Sequence, residues 1–181
     1  MEISVHTIAI ETFVPMLRAL SEILDQGAQY AKNKNFDPAI LVNARLAPDM
    51  YPLVKQVQLA CEHAKDSTAR MIGHEPPRLE DNEERLDQLK ARIAQTIDYL
   101  SKASAAAFEG AADRAIKIPI PNDGAIEMNG FQFLRDWALP HFYFHVVTAY
   151  DILRHSGVEI CKRDYLSRVA VYVRQSGDRK A

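Results

Sequence analysis

His141 and His145 stand four residues apart in Leu139-Pro-His-Phe-Tyr-Phe-His-Val-Val-Thr-Ala-Tyr150, a run so apolar that it must be largely buried. On an α-helix, residues i and i+4 lie one above the other on the same face, so both imidazoles can be aimed at a single atom. That geometry suits a metal ion. It suits equally a pair of neutral core imidazoles, each giving one N–H to a carbonyl or hydroxyl, for which Tyr30, Tyr51 and Tyr99 are candidate partners. Taken alone, His63 reads as a solvated surface histidine, and His6, His74 and His155 sit near element ends. No Gly-rich phosphate loop, Ser-His-Asp order or helically spaced carboxylate pair accompanies them. Cys61 and Cys161 form neither a C-x-x-C pair nor a disulfide framework, and Cys61 falls at a core position where an inert thiol is expected.

The elements that must position the pair read as helices. Apolar spacing predicts a first helix over 12–31, with Phe13, Val14, Leu17, Leu20, Leu24, Ala28 and Ala31 in one stripe, beginning near or kinked at Pro15. A second opens with Asp49 as N-cap and buries Met50, Leu53, Val57, Ala60, Cys61, Ala64, Thr68 and Met71 before Gly73 ends it. Asp81 and Glu84 make a capping box for a third, with Leu86, Leu89, Ile93, Ile97 and Leu100 inside and the acidic run 80–85 as its first turn. Ile116, Ile118 and Ile120 then alternate with Lys117 and Pro119, and Pro121-Asn-Asp-Gly124 turns the chain back through 125–128. Two strands alone are marginal in water, so this hairpin must lie on the helices as flap or brace. Asn129 and Gln132 box a fourth helix that runs to His155, closed by a left-handed Gly157. The fold class expected is all-α, an antiparallel four-helix bundle with a short β-hairpin between helices three and four. It forms one domain over 1–166. In the tail, 167–181, residues 168–174 alternate weakly enough for a strand, and 175–181 are expected to be disordered.

On helix four, Leu134, Ala138, His141, His145, Ala149 and Ile152 fall within about 80° of one another, which puts the histidines at the centre of the buried stripe. Ala138 and Ala149 leave room beside the rings for a water, a ligand or a metal. Pro140 frees the carbonyl of Asp136 and bends the axis just before His141. Leu139, Tyr143, Val147 and Tyr150 occupy the other side, where a surface helix should be polar. Either the chain sheathes that face or a homodimer uses it, and a homodimer is the expectation.

With 181 residues, 48% apolar and 25% charged, the chain has the make-up of one soluble globular domain. A net charge of −2 and a pI near 6.3 give no basic footprint for nucleic acid. Glu2 stands where a signal peptide would be positive, and no apolar run reaches the roughly 18 residues of a membrane span, so a cytoplasmic protein without a membrane partner is expected.

Pro140-His-Phe-Tyr-Phe-His-Val-Val-Thr-Ala-Tyr-Asp-Ile-Leu-Arg-His-Ser-Gly-Val-Glu159, together with Asn43-Ala-Arg-Leu-Ala-Pro-Asp-Met-Tyr-Pro-Leu53, resembles a bacterial domain-of-unknown-function family in the DinB/YfiT-like superfamily of candidate metalloenzymes, over about residues 5–166. The resemblance implies a four-helix bundle, frequently dimeric. In the superfamily, a histidine from helix two joins a pair spaced like His141 and His145, on a helix ending like Leu153-Arg-His-Ser-Gly157. Better-studied members are thiol-dependent transferases or isomerases that use a divalent metal to activate a small thiol; no activity is implied for this branch. The third ligand departs from the pattern. His63 projects about 120° from the stripe that Val57 marks, Glu62 points to solvent, and Gln56, nearer the expected place, offers only an amide, a weak ligand for zinc or nickel. Catalytic zinc normally keeps three protein ligands and one open position. Two readings follow: a divalent-metal-dependent enzyme, zinc or nickel held by His141, His145 and His63 or Gln56; or a metal-free dimeric bundle whose histidine-containing core binds a small molecule or is structural.

Overall fold

Ser4 starts the first helix: its hydroxyl accepts the N–H of Thr7 at 3.1 Å, and α1 then runs over Val5–Lys34 until Asn35 takes a left-handed conformation at φ 56°. The computed structural model describes residues 4–122 and 124–173. Pro15 therefore lies deep inside α1 rather than in its first turn, a correction to the expected start near Thr12. Proline cannot donate to the carbonyl four residues back. That carbonyl, on Glu11, instead accepts from Arg168 Nη1 at 3.2 Å, so the far end of the chain supplies the missing donor. Arg168 belongs to a 3₁₀ turn over Ser167–Tyr172, where a strand was expected; residues 174–181, including the segment expected to be disordered, lie outside the described residues.

After the short α2 (Ala39–Asn43), α3 spans Leu53–Ile72, α4 Leu86–Ser101, α5 Gly130–Phe133, α6 Leu139–His155 and α7 Lys162–Tyr165. The protein is mostly helical, with one antiparallel pair, β1 (Ala115–Ile120) and β2 (Gly124–Asn129), in the register Ile116 opposite Met128 and Ile118 opposite Ile126. Four long helices enclose the core: α1 packs on α4 and α6, and α3 lies between α4 and α6. Phe13 meets Phe142 edge to face at 4.9 Å, and Leu17, Val57, Leu89, Val146 and Leu153 belong to the same buried cluster.

Two further helix starts differ from expectation. Asp49 is an exposed turn residue, and α3 begins after Pro52, whose fixed φ suits a helix entrance. Asp81 does not cap α4; the side chain of Gln88 does, accepting the N–H groups of Arg85 and Glu84 at 2.9 and 2.8 Å. Residues 80–85 form an extended crossing rather than a helical turn. Its acids serve Arg92, which is only 4% exposed: Nη1 donates to Glu83 Oε1 and to the Glu80 carbonyl and Nη2 to Asp81 Oδ1, each at 2.9 Å. Asp81 also pairs with Lys55, and Gln58 donates to Glu83, so the crossing is clasped across α3 and α4. A buried guanidinium demands such partners.

Gly73 and Gly157 close α3 and the α6 end in the left-handed region, at φ 75° and 94°, as expected. Gly130 is required for another reason: a Cβ there would sit 1.8 Å from the Ala111 carbonyl oxygen, where the segment before the hairpin presses on the start of α5. A Gly130→Ala change should therefore destabilise the fold by about 3 kcal/mol, an overpacking against backbone that no rotamer relieves. Urea unfolding checks this; a loss below about 1 kcal/mol would show that the two segments can part.

Candidate functional site

The helix that carries the histidines is entered through the expected box: Asn129 Oδ1 accepts from Gln132 N at 2.8 Å, and Gln132 Oε1 accepts from Asn129 N at 3.0 Å. Between α5 and α6, residues Leu134–Ala138 make a π-helical turn, in which the Leu139 N–H reaches the carbonyl of Leu134. The disturbance expected at Pro140 takes this form, a widened turn just ahead of the proline. The buried stripe of α6 centres on Phe142, Val146, Ala149 and Leu153. His145, 8% exposed, lies at its margin and His141 is half-buried, both towards α3.

Each ring has one nitrogen committed. His141 Nδ1 lies 2.8 Å from the Trp137 carbonyl oxygen, and His145 Nδ1 lies 2.8 Å from Gln56 Oε1. Both oxygens can only accept, so Nδ1 carries the proton in each, and in the neutral ring Nε2 is left as a bare lone pair. The Gln56 amide cannot be turned over, because its Nε2 donates to the Tyr51 carbonyl at 3.1 Å. The partners are thus a backbone carbonyl and an amide, and the expected phenols of Tyr30, Tyr51 and Tyr99 are not used. Gln56 stands as an orienting group behind His145.

His63 joins them. Its ring centre is 4.8 Å from that of His141 and 5.3 Å from that of His145, the latter pair parallel to within 9°. The expectation of a solvated His63 is corrected: it is half-buried, because α3 is flanked by both α4 and α6 and its covered arc is wider than one stripe. Glu62, expected in solvent, is half-buried as well. Burial first, then the neighbouring His141 and His145, push His63 down to about 4; burial, His141 and Lys55 do the same to His145. Trp137 covers His141 at 4.4 Å, and Phe144 stands edge-on to His145. Among the described residues, no group of three His, Cys, Asp or Glu side chains is already arranged to hold a metal ion; the His63 ring lies parallel to that of His145 and is tilted by 33° to that of His141. Cys61 is buried and its thiol pushed up to about 12, which removes it as a nucleophile.

A cavity of about 130 Å³ opens beside His63, with Phe133, Trp137 and the hairpin's Ile118 in its wall. Larger hollows, about 760 Å³ along the start of α1 and about 660 Å³ between α2 and the start of α4, contain none of these three histidines. The chemistry-bearing groups single out the small one. Trp137 and Gln56, which fix the site, carried no recognisable motif; only the position of Trp137 four residues before His141 hinted at its carbonyl.

Residues 5–166 match the family described as a domain of unknown function, DUF1993. The chain is similar to a DinB family member protein from Shewanella denitrificans, whose crystal structure agrees with a TM-score of 0.83 at 38% identity, covering 97% of this chain and 94% of that one. No curated protein matches it. Among the described residues no helix is long and apolar enough to cross a membrane.

The suppressed histidines predict a pH response. From the ordinary value of 6.5 down to about 4 the unfolded chain binds protons that the folded His63 and His145 refuse, so stability falls as pH drops through that window and is unaffected by them above it. Allowing for solvent screening, the loss is about 2 kcal/mol, or roughly 4–8 °C in Tm. Melting curves between pH 7 and pH 5 should fall more steeply for the wild type than for His63→Phe; parallel curves would deny the suppression.

Proposed function

The chain belongs to the DUF1993 family within the DinB-like superfamily, and from that premise we propose that it is a divalent-metal-binding protein, an antiparallel four-helix bundle whose His141, His145 and His63 would hold zinc or nickel for thiol-dependent transferase chemistry. The observation that supports this is the Nδ1 bonding: with Trp137 O and Gln56 Oε1 each taking a ring N–H, two lone pairs are set aside on facing turns of one helix, beside a third neutral imidazole. Ligating histidines ordinarily have their other nitrogen held by a carbonyl or carboxylate in this manner. Imidazole nitrogen is a donor that zinc and nickel accept, and three leave a position open for substrate.

When bound, a divalent ion lowers the proton affinity of a thiol or water and so generates a nucleophile at neutral pH. The chain's own residues do the rest. Gln56 and the Trp137 carbonyl hold the rings in one tautomer, Trp137 and Phe144 limit water beside them, and Ile118 brings the hairpin to the mouth of the adjoining cavity as a flap.

Elemental analysis of untagged protein after zinc or nickel add-back should find close to one ion per chain. His141→Ala should abolish retention, and Gln56→Leu, which touches no ligand atom, should weaken it by about 10- to 100-fold. Stoichiometric metal in His141→Ala would overturn the assignment.

The metal-free dimeric reading has an observation of its own. Leu139, Tyr143 and Tyr150 are half-buried against the core, with Tyr165 of α7 covering Tyr150, but Phe144 and Val147 stay 59% and 40% exposed on α6. A homodimer would use these two. Light scattering should report twice the 20.4 kDa chain mass for the wild type and the chain mass for Phe144→Glu; a monomeric wild type would remove this reading.

A further inference from the structure

We propose that the hollow between α2 and the start of α4 binds a linear aliphatic polyamine, its ammonium groups received by Asp37 and Glu84 and its methylene chain laid on Val42, Val54 and Leu86. None of the three clustered histidines lines this hollow, so the inference goes beyond the metal reading and does not depend on it.

The helix α2 has only five residues, and residues 80–85 cross in extended form, so no long helix fills the gap between them. The opening of about 660 Å³ falls within the roughly 300–1,000 Å³ of ordinary small-molecule sites. Its apolar lining joins four helices: Ala28 of α1, Val42 of α2, Val54 of α3 and Leu86 of α4. The rim carries Asp37 on the α1–α2 connection and Glu83, Glu84 and Arg85 on the crossing before α4.

The hydrogen-bonding capacity left in this rim is one-sided. Asp37 Oδ1 accepts the Ala39 N–H at 2.9 Å, which leaves Oδ2 uncommitted. Asn43 Nδ2 donates to the Ala39 carbonyl at 3.0 Å, which leaves its side-chain oxygen as a further acceptor. Arg85 commits Nε and Nη2 to Asp87, and Glu83 is answered by Arg92 and Gln58. The Glu84 carboxylate makes no ion pair and no hydrogen bond among the described residues; only its backbone N–H is held, by Gln88. Two carboxylates from different segments therefore stand without a cation over one shared apolar lining. A ligand that complements them brings N–H donors and positive charge at more than one point, with carbon between. A dicarboxylate would be repelled, a diol would leave both charges unanswered, and a single amine would answer one of them.

Four compounds with the same four-carbon chain separate these cases: putrescine carries two ammonium groups, n-butylamine one, butanediol two hydroxyls and succinate two carboxylates. Each is titrated calorimetrically to about 10 mM, which reaches millimolar affinities, at low ionic strength, with Tm read in parallel to catch binding that releases no heat. Putrescine is expected to bind with one site per chain and about fivefold more tightly than n-butylamine, the upper worth of one exposed ion pair; butanediol and succinate are expected not to bind. Glu84→Gln and Asp37→Asn should each remove that fivefold advantage. Asp37→Asn keeps an oxygen for the Ala39 N–H, so the local turn is preserved. Asp113→Asn, in the separate hollow at the start of α1, should leave putrescine binding unchanged. Equal affinities for putrescine and n-butylamine, insensitivity to both rim substitutions, an equal loss in Asp113→Asn, or neither heat nor a rise in Tm would overturn the site.

Discussion

The hydrogen bond from His145 Nδ1 to Gln56 Oε1 is the constraint on which the site depends. It crosses from α6 to α3 in a buried setting, where an unpaired ring N–H or amide oxygen would cost on the order of 1–3 kcal/mol. The bond consequently fixes several things together. It selects one tautomer of His145, it sets the rotation of the ring, and it engages the amide oxygen that the sequence offered as an alternative ligand. The amide's other end must then find an acceptor, and it takes the Tyr51 carbonyl just before Pro52 turns the chain into α3. The start of one helix and the protonation state of a residue on another are one structural decision.

Around that bond, the polar groups of α3 are arranged to hold other segments in place. Gln58 and Lys55 reach the acids that surround Arg92, fastening the α3–α4 crossing, and Lys65 donates to the Pro77 carbonyl on the same strand of chain. At the other end, Arg114 donates to the carbonyl of Met71 and ties the root of the hairpin to the last turn of α3. A helix buried on two sides cannot show a simple polar face to water, so its buried polar residues call for individual partners; Thr68 Oγ1 is the exception on α3, buried with none among the described residues. The same economy operates on α1, where a proline left a carbonyl without a donor and Arg168 supplies it.

The reach of the sequence differs from element to element for physical reasons. Helical period, the Asn129 and Gln132 box, the Gly73 and Gly157 stops and the alternation of Ile116 and Ile118 are local signals, and they appear where they were expected. What failed depended on distant partners. Pro15 read as a helix start because nothing nearby could answer the Glu11 carbonyl; the donor lies more than 150 residues away. Asp81 read as a cap because Arg92 was not known to need it. His63 read as exposed because a single-stripe wheel assumes one neighbour, and α3 has two. The pairing of His141 with His145 was legible from spacing alone; Gln56 could be named but not given its role, since an amide's function is decided by which of its two ends is engaged.

Burial of three imidazoles also sets what can compete for them. A proton uses one lone pair at a time, and each protonation places a full charge in a half-enclosed pocket beside other rings, which is why His63 and His145 are held near 4. A divalent cation faces the same desolvation, but it can draw on several nitrogens at once and so recover what a single proton cannot. Burial thus disfavours the monovalent competitor more than the multidentate one. Holding both Nδ1 protons in place sharpens that difference further, since neither ring on α6 needs to change tautomer before its Nε2 is offered. The His63 ring lies parallel to that of His145 and tilted against that of His141, so packing alone holds the three side chains side by side.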